Sequence, residues 1–237
     1  MADSRSKVEF EEDHVKGTWL DQTLDLIRDY PLGAIGFLVV LAMIILTISA
    51  DFISYYDPEE EMWEYMLQPP SLAFPLGTDN FGRDILTRII YGARTALYIG
   101  FTSAFIGAFA GLVLGVASAY FGGLFDILFQ RLVDIVMAFP LIILALAVVA
   151  TLGPGSTNVI IAITIPFIPQ CARVVRSSAL SVREMPYVDA ATALGFSNFR
   201  IIMVHMTPNV MAPFLIMLTA FVGQAILLEA SLSYLGL

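Results

Sequence analysis

A chain of 237 residues that is 58% hydrophobic and only 14% charged, with a mean hydropathy of +0.80, carries more apolar surface than one water-soluble core can hide. The net charge of −9 is set largely by the first 30 residues, where Asp3, Glu9, Glu11, Glu12, Asp13, Asp21, Asp25 and Asp29 outnumber Arg5, Lys7, Lys16 and Arg28, a balance that argues against a nucleic-acid partner. A single cysteine, Cys171, excludes an internal disulfide and a CxxC or zinc cluster, and it reads as a small packing residue.

A bilayer core about 30 Å thick is crossed by about 20 apolar residues in a helix. Uncharged runs of that length or more occur at residues 95–125, 135–172 and 201–228. In chain order, 1–31 is an acidic tail. Residues 32–50 form an apolar stretch too long for the core of a signal peptide, and read as an uncleaved first membrane helix. A loop, 51–94, follows. The remaining spans are predicted at 95–119, 132–152, 159–175 and 210–228, giving an all-α polytopic membrane protein with five visible spans. The turn residues of 153–158 divide the longest uncharged run into a tight hairpin, and Pro166 with Pro169 predicts a kink in the fourth span.

With the N-terminus inside, nine Lys and Arg residues fall on the cytoplasmic side and three, Arg83, Arg88 and Arg94, outside, so the topology is predicted as N-terminus cytoplasmic. Gly107, Gly111 and Gly115, four residues apart, mark a helix face that admits a close neighbour; packing within the chain is the first reading, and a subunit interface or pore lining the second. Asp134 is expected to pair with Arg131 three residues away, with a place on a translocation path as the alternative. Glu229 is left open between a path or partner contact and interfacial exposure. The three outer arginines are expected to fix their loop against the membrane surface rather than to meet a solute carboxylate. His14 and His205 lie far apart without neighbouring ligands, so no metal site is expected.

The connection 176–209 is polar and helix-forming. Tyr187 to Leu194 has helical propensity, Gly195 stops it, and Ser197 or Asn198 can cap the next helix. The resulting small-faced element at the membrane surface suits a cleft in another protein. The pattern Asp189-Ala190-Ala191, three residues, Gly195, nine residues and His205-Met206-Thr207-Pro208 resembles the loop that defines ABC importer permeases. Asp189 stands where the family usually has Glu, and Thr207 where it usually has Leu. Gly77-Thr78-Asp79, Gly82-Arg83-Asp84, Arg88, Gly92, Arg94, Gly122-Gly123, Asp126, Arg131, Asp134, Phe139-Pro140 and Glu229-Ala230-Ser231-Leu232-Ser233 are similar to the dipeptide and oligopeptide branch.

That resemblance implies a type I importer membrane domain over 95–237. It also implies a second permease subunit, two cytoplasmic ABC ATPases that hold ATP and magnesium, and an extracytoplasmic solute-binding protein. Glu184, Tyr187, Asp189, Ala190, Ala191, Gly195, His205 and Pro208 would form the ATPase-coupling segment. The residues agree that any ATPase is another chain, because Lys7 and Lys16 have no P-loop context. The rivals are a secondary transporter, against which the docking loop argues, and a membrane enzyme, for which no HExxH or GxSxG is present. In the family a further loop and sixth span normally follow the terminal Glu-Ala-x-Leu-Ser stretch; the core is therefore expected to be C-terminally incomplete and to assemble poorly with its ATPase.

Overall fold

The computed structural model describes residues 28–236; most of the acidic tail, with His14, lies outside the described residues. Among the described residues there is no β-strand, and seven helices of eight or more residues are labelled α1 to α7. The chain divides into two compact units, Met1–Ile53 and Ser54–Leu237. The first unit contains α1, Pro31–Ile48, opened by a proline at its first position and uniformly apolar, as a lipid-facing helix requires.

In the second unit α2 spans Ile85–Phe121, α3 Gly123–Met137, α4 Leu141–Leu152, α5 Ser156–Arg183, α6 Pro186–Ala193 and α7 Met211–Tyr234. The described residues hold four stretches long and apolar enough to cross a membrane, or five if the bent pair α3–α4 counts as one. This is an all-α polytopic membrane fold.

The sequence expectation placed one span over 132–152, and the chain bends by 87° between α3 and α4. Pro140 is the cause: it has no N–H, its ring disfavours helical Phe139, and α3 ends at Met137 with Ala138 as its C-cap. Pro166 and Pro169, in contrast, do not interrupt α5, and both are buried. The hairpin at 153–158 is present, with Gly153 and Gly155 at positive φ and Asn158 Nδ2 donating to the Leu152 and Gly153 carbonyls, both at 3.0 Å.

The core is the contact of α2 with α5 and α7. An added Cβ on Gly107 would lie 2.7 Å from the Phe167 Cβ, and one on Gly115 2.7 Å from the Ala172 carbonyl oxygen, so the glycine face packs within the chain. Cys171 is fully buried there and its thiol donates to the Ala108 carbonyl at 3.3 Å, the packing role expected of it. The ring of Phe167 also stacks on Phe221 of α7, with centroids 4.2 Å apart.

The loop before α2 is folded. Phe74 is buried against Tyr56 and Tyr65, and Gly82, at φ +76, passes so close to Met62 that a Cβ would sit 1.9 Å from its carbonyl oxygen. Asp84 caps α2 by accepting from the Thr87 N–H at 2.9 Å. Asp79 accepts from the Phe81 and Arg83 N–H groups at 2.8 and 3.0 Å, from Arg83 Nε at 2.9 Å, and from Arg88. Arg83 and Arg88 therefore hold this loop together through Asp79.

Burial alone would raise the Asp79 pKa, but the hydrogen bonds from Phe81 and Arg83 and the Arg83 charge hold it down to about 2 from 3.8. A depressed carboxyl stabilises the fold above its unfolded pKa, and the contribution is lost as pH falls from 3.8 through about 2. Trp63 packs edge-on against Phe81 in this turn. In a Trp19→Phe background, Trp63 fluorescence should hold steady down to that window and change within it. Asp79→Asn should remove that transition; a transition unchanged by the substitution would assign it elsewhere.

Candidate functional site

The segment between α5 and α7 forms a compact knot. Proline at the first position of α6 and Asp189 in its first turn both suit a helix start. Val188 and Ala191, three apart, face inward and are nearly inaccessible, whereas Asp189, Ala190 and Ala193 face outward. The helix stops in a Schellman arrangement: the Phe196 N–H donates to the Ala191 carbonyl at 3.1 Å and the Gly195 N–H to the Thr192 carbonyl at 3.0 Å, with Gly195 at φ +75.

Ser197, not Asn198, supplies the next cap, accepting from the Arg200 N–H at 3.4 Å. The Asn198 side-chain oxygen instead accepts from the Tyr120 hydroxyl at 2.8 Å, tying the knot to the end of α2. The Arg200 guanidinium lies 4.2 Å from the Phe196 ring centre, and Phe196 stacks on His205 at 6.0 Å.

A wide π-helical turn, Ile201–Met206, and a 3-10 turn, Thr207–Val210, lead into α7. Pro208 has no N–H to offer the His205 carbonyl, which accepts from the Asn209 side-chain nitrogen at 2.7 Å and from the Tyr187 hydroxyl at 3.5 Å. Tyr187 and His205 thus meet at the base of α6, and Pro208 lies in the turn that follows. Glu184 is the exposed C-cap of α5.

Beneath the knot lies a charge cluster whose role sequence reasoning missed. Arg176 of α5 grips Asp126 of α3 with Nε at 2.6 Å and a second nitrogen at 2.5 Å, and the Ser118 hydroxyl of α2 donates to the same carboxylate at 2.5 Å. Arg183 donates to the Ala119 carbonyl at 2.9 Å. Three helix ends are cross-linked this way around the Gly122-Gly123 turn. The available signal was the placement of charge beside long uncharged runs, since such groups are retained only with partners.

Two residues singled out in the sequence are not part of the knot. Asp134 pairs with Arg173 of α5 rather than with Arg131, because α5 brings a guanidinium to it from 39 residues away. Glu229 is half-buried in the last turns of α7, roughly 27 Å along the helix from its start.

Residues 107–237 match the family described as binding-protein-dependent transport system inner membrane component. A putative peptide transport system permease protein of Brucella suis biovar 1 is 46% identical over 203 residues, covering 86% of this chain and 68% of that protein. A dipeptide transport system permease protein of Alkalihalophilus pseudofirmus is 42% identical over 211 residues, 89% of this chain and 69% of the relative. A glutathione transport system permease protein of Escherichia coli O6:K15:H31 is 39% identical over 226 residues, 95% and 74% respectively. With that match and these alignments, the chain belongs to the family of inner membrane components of binding-protein-dependent transport systems.

Proposed function

We propose that the chain is the permease subunit of an ATP-driven importer of short peptides. It works with a second permease subunit, two cytoplasmic ABC ATPases that carry ATP and magnesium, and an extracytoplasmic solute-binding protein. The observation that carries this reading is α6: an eight-residue helix, braced from inside by Val188 and Ala191, that offers Asp189, Ala190 and Ala193 to a partner. Small side chains let such a helix enter a cleft, and the carboxylate supplies one directed polar contact. The names of the relatives support peptides as the solute.

In this reading ATP-driven movement of the ATPases pushes on α6. The contact of Tyr187 with His205, ahead of the Pro208 turn, keeps α6 from yielding, and the Asp126–Arg176 and Arg183–Ala119 links pass the displacement to α2, α3 and α5. Glu184 is exposed at the end of α5, two residues before α6, and Gly195 sets the turn. The Lys and Arg distribution supports a cytoplasmic N-terminus, which puts this knot on the ATPase side. Asp134 serves as a brace between α3 and α5, and Glu229 as a contact to the path or a partner subunit.

The test uses the whole transporter in proteoliposomes, with ATP-dependent uptake of radiolabelled dialanine, trialanine and glutathione. Uptake of at least one is expected, and uptake of none would overturn the peptide reading. Gly195→Val forces a β-branched residue to φ +75, a conformation costing it about 1–2 kcal/mol. Solute-stimulated ATP hydrolysis should fall by roughly tenfold while the binding protein's affinity for solute stays fixed. Unchanged stimulation would remove α6 from the coupling route.

A further inference from the structure

Between α5 and α7 lies a cavity of about 430 Å³ lined by Leu141, Gln170, Gln224, Leu227, Leu228 and Ser231. Gln170 stands midway along α5 and Gln224 midway along α7, both in stretches that qualify as membrane spans. Neither carboxamide is hydrogen-bonded to any other described residue. Ser231 donates its hydroxyl to the Leu227 carbonyl at 2.7 Å, which leaves its oxygen free to accept. In a bilayer such amides need a partner, and polar residues within spans face a bundle interior or an aqueous cavity.

We propose that this cavity is a transit site for the solute, in which Gln170 and Gln224 hydrogen-bond the main-chain amides of a short peptide. The inference rests on the reading of the chain as a peptide-importer permease and adds to it the residues that the peptide meets. A carboxamide has two donors and an acceptor in the same arrangement as a peptide group, so one Gln can satisfy both the C=O and the N–H of a passing residue. It does this for any sequence, because side chains are not involved. The apolar lining from Leu141, Leu227 and Leu228 suits side chains of varied kind without selecting one.

The lack of charge also matters. A path must bind well enough to admit its solute and weakly enough to release it, and neutral amides meet that condition better than an ionised ligand would. The size is that of small-molecule sites, about 300–1,000 Å³. The alternative occupants are a membrane helix of the second permease subunit and the sixth span that the resemblance implies. Membrane helix interfaces close through small residues, as α2 and α5 do here, whereas this cavity is concave and lined by large aliphatic side chains around its polar groups.

The test uses the whole transporter and whichever of dialanine, trialanine or glutathione the unsubstituted complex takes up. Gln170→Leu together with Gln224→Leu should lower uptake roughly tenfold, the loss of two modest hydrogen bonds, while basal ATP hydrolysis and complex assembly are retained. A photoreactive benzophenone amino acid in place of Gln224 should cross-link to the labelled peptide during ATP-driven turnover. Full uptake by the double variant, or cross-links only to the second permease subunit or to the sixth span, would overturn the transit site and leave the peptide reading standing. If the double variant fails to assemble, the cross-link partner decides. An unsubstituted transporter that takes up none of the three peptides would overturn both readings.

Discussion

Gly111→Leu should abolish the folded protein, and even Gly111→Ala should lower its thermal stability in detergent. A Cβ on Gly111 would lie 2.5 Å from the Cys171 Cβ, 2.9 Å from the Ile168 carbonyl oxygen and 3.0 Å from the Ala172 nitrogen. None of these atoms is the free end of a side chain, so relief requires α2 and α5 to move apart along the contact that forms the core. Overpacking of this kind costs about 1–3 kcal/mol for a small addition and more for a large one. Gly92→Ala is the control, because Gly92 lies on the same helix with nothing within 4 Å of its added methyl. Its replacement should be neutral or slightly stabilising by helix propensity. Equal melting behaviour for Gly92→Ala and Gly111→Ala would mean that the glycine face is not the α2–α5 contact.

Arg176→Met should be the next most damaging change. It removes a bidentate partner from Asp126 and leaves the carboxylate with the Ser118 hydroxyl alone. Severing a fully buried pair costs about 3–5 kcal/mol. The side chains here are 25% and 16% exposed, so a loss of about 2–3 kcal/mol is expected. The diagnostic is the combination with Asp126→Leu. Once both charges are gone neither is stranded, and the double variant should be more stable than Arg176→Met. Strictly additive losses in denaturation of the purified protein would show that the two residues act independently.

Much of the architecture was legible because the solvent requirement is severe: an uncharged run of 28 or more residues has few alternatives to a membrane helix. The glycine face on α2, the 153–158 hairpin and the stop at Gly195 were legible for a related reason, since each needs a residue type with few substitutes. The bend between α3 and α4 was not read, because hydropathy records how apolar a stretch is and not its direction. The start of α2 was placed ten residues late, because Arg88 and Arg94 end the uncharged run while the Asp84 cap begins the helix. The Asp134–Arg173 and Asp126–Arg176 pairs join residues 39 and 50 apart, and sequence spacing argues only for neighbours on one helix, which is why Arg131 was favoured. Gln170 and Gln224 were overlooked because neither carries a charge; only the cavity between their helices distinguishes them.

The wide turn at Ile201–Met206 leaves its mark on the burial pattern. From Met206 the buried positions run 206, 210, 214, 218, 221, 225, 228 and 232, in steps of three and four, but the step from Ile201 to Met206 is five. One surplus residue has been taken up without disturbing the phase of either side. A regular helix keeps its carbonyls for its own amides, and a neighbouring element finds nothing in its flank to hold. Where the ladder is loosened by the surplus residue and then by Pro208, the His205 carbonyl accepts the Tyr187 hydroxyl instead. The mooring point of α6 is therefore a dislocation in the main chain, and trimming the surplus residue would tidy the helix while casting α6 adrift.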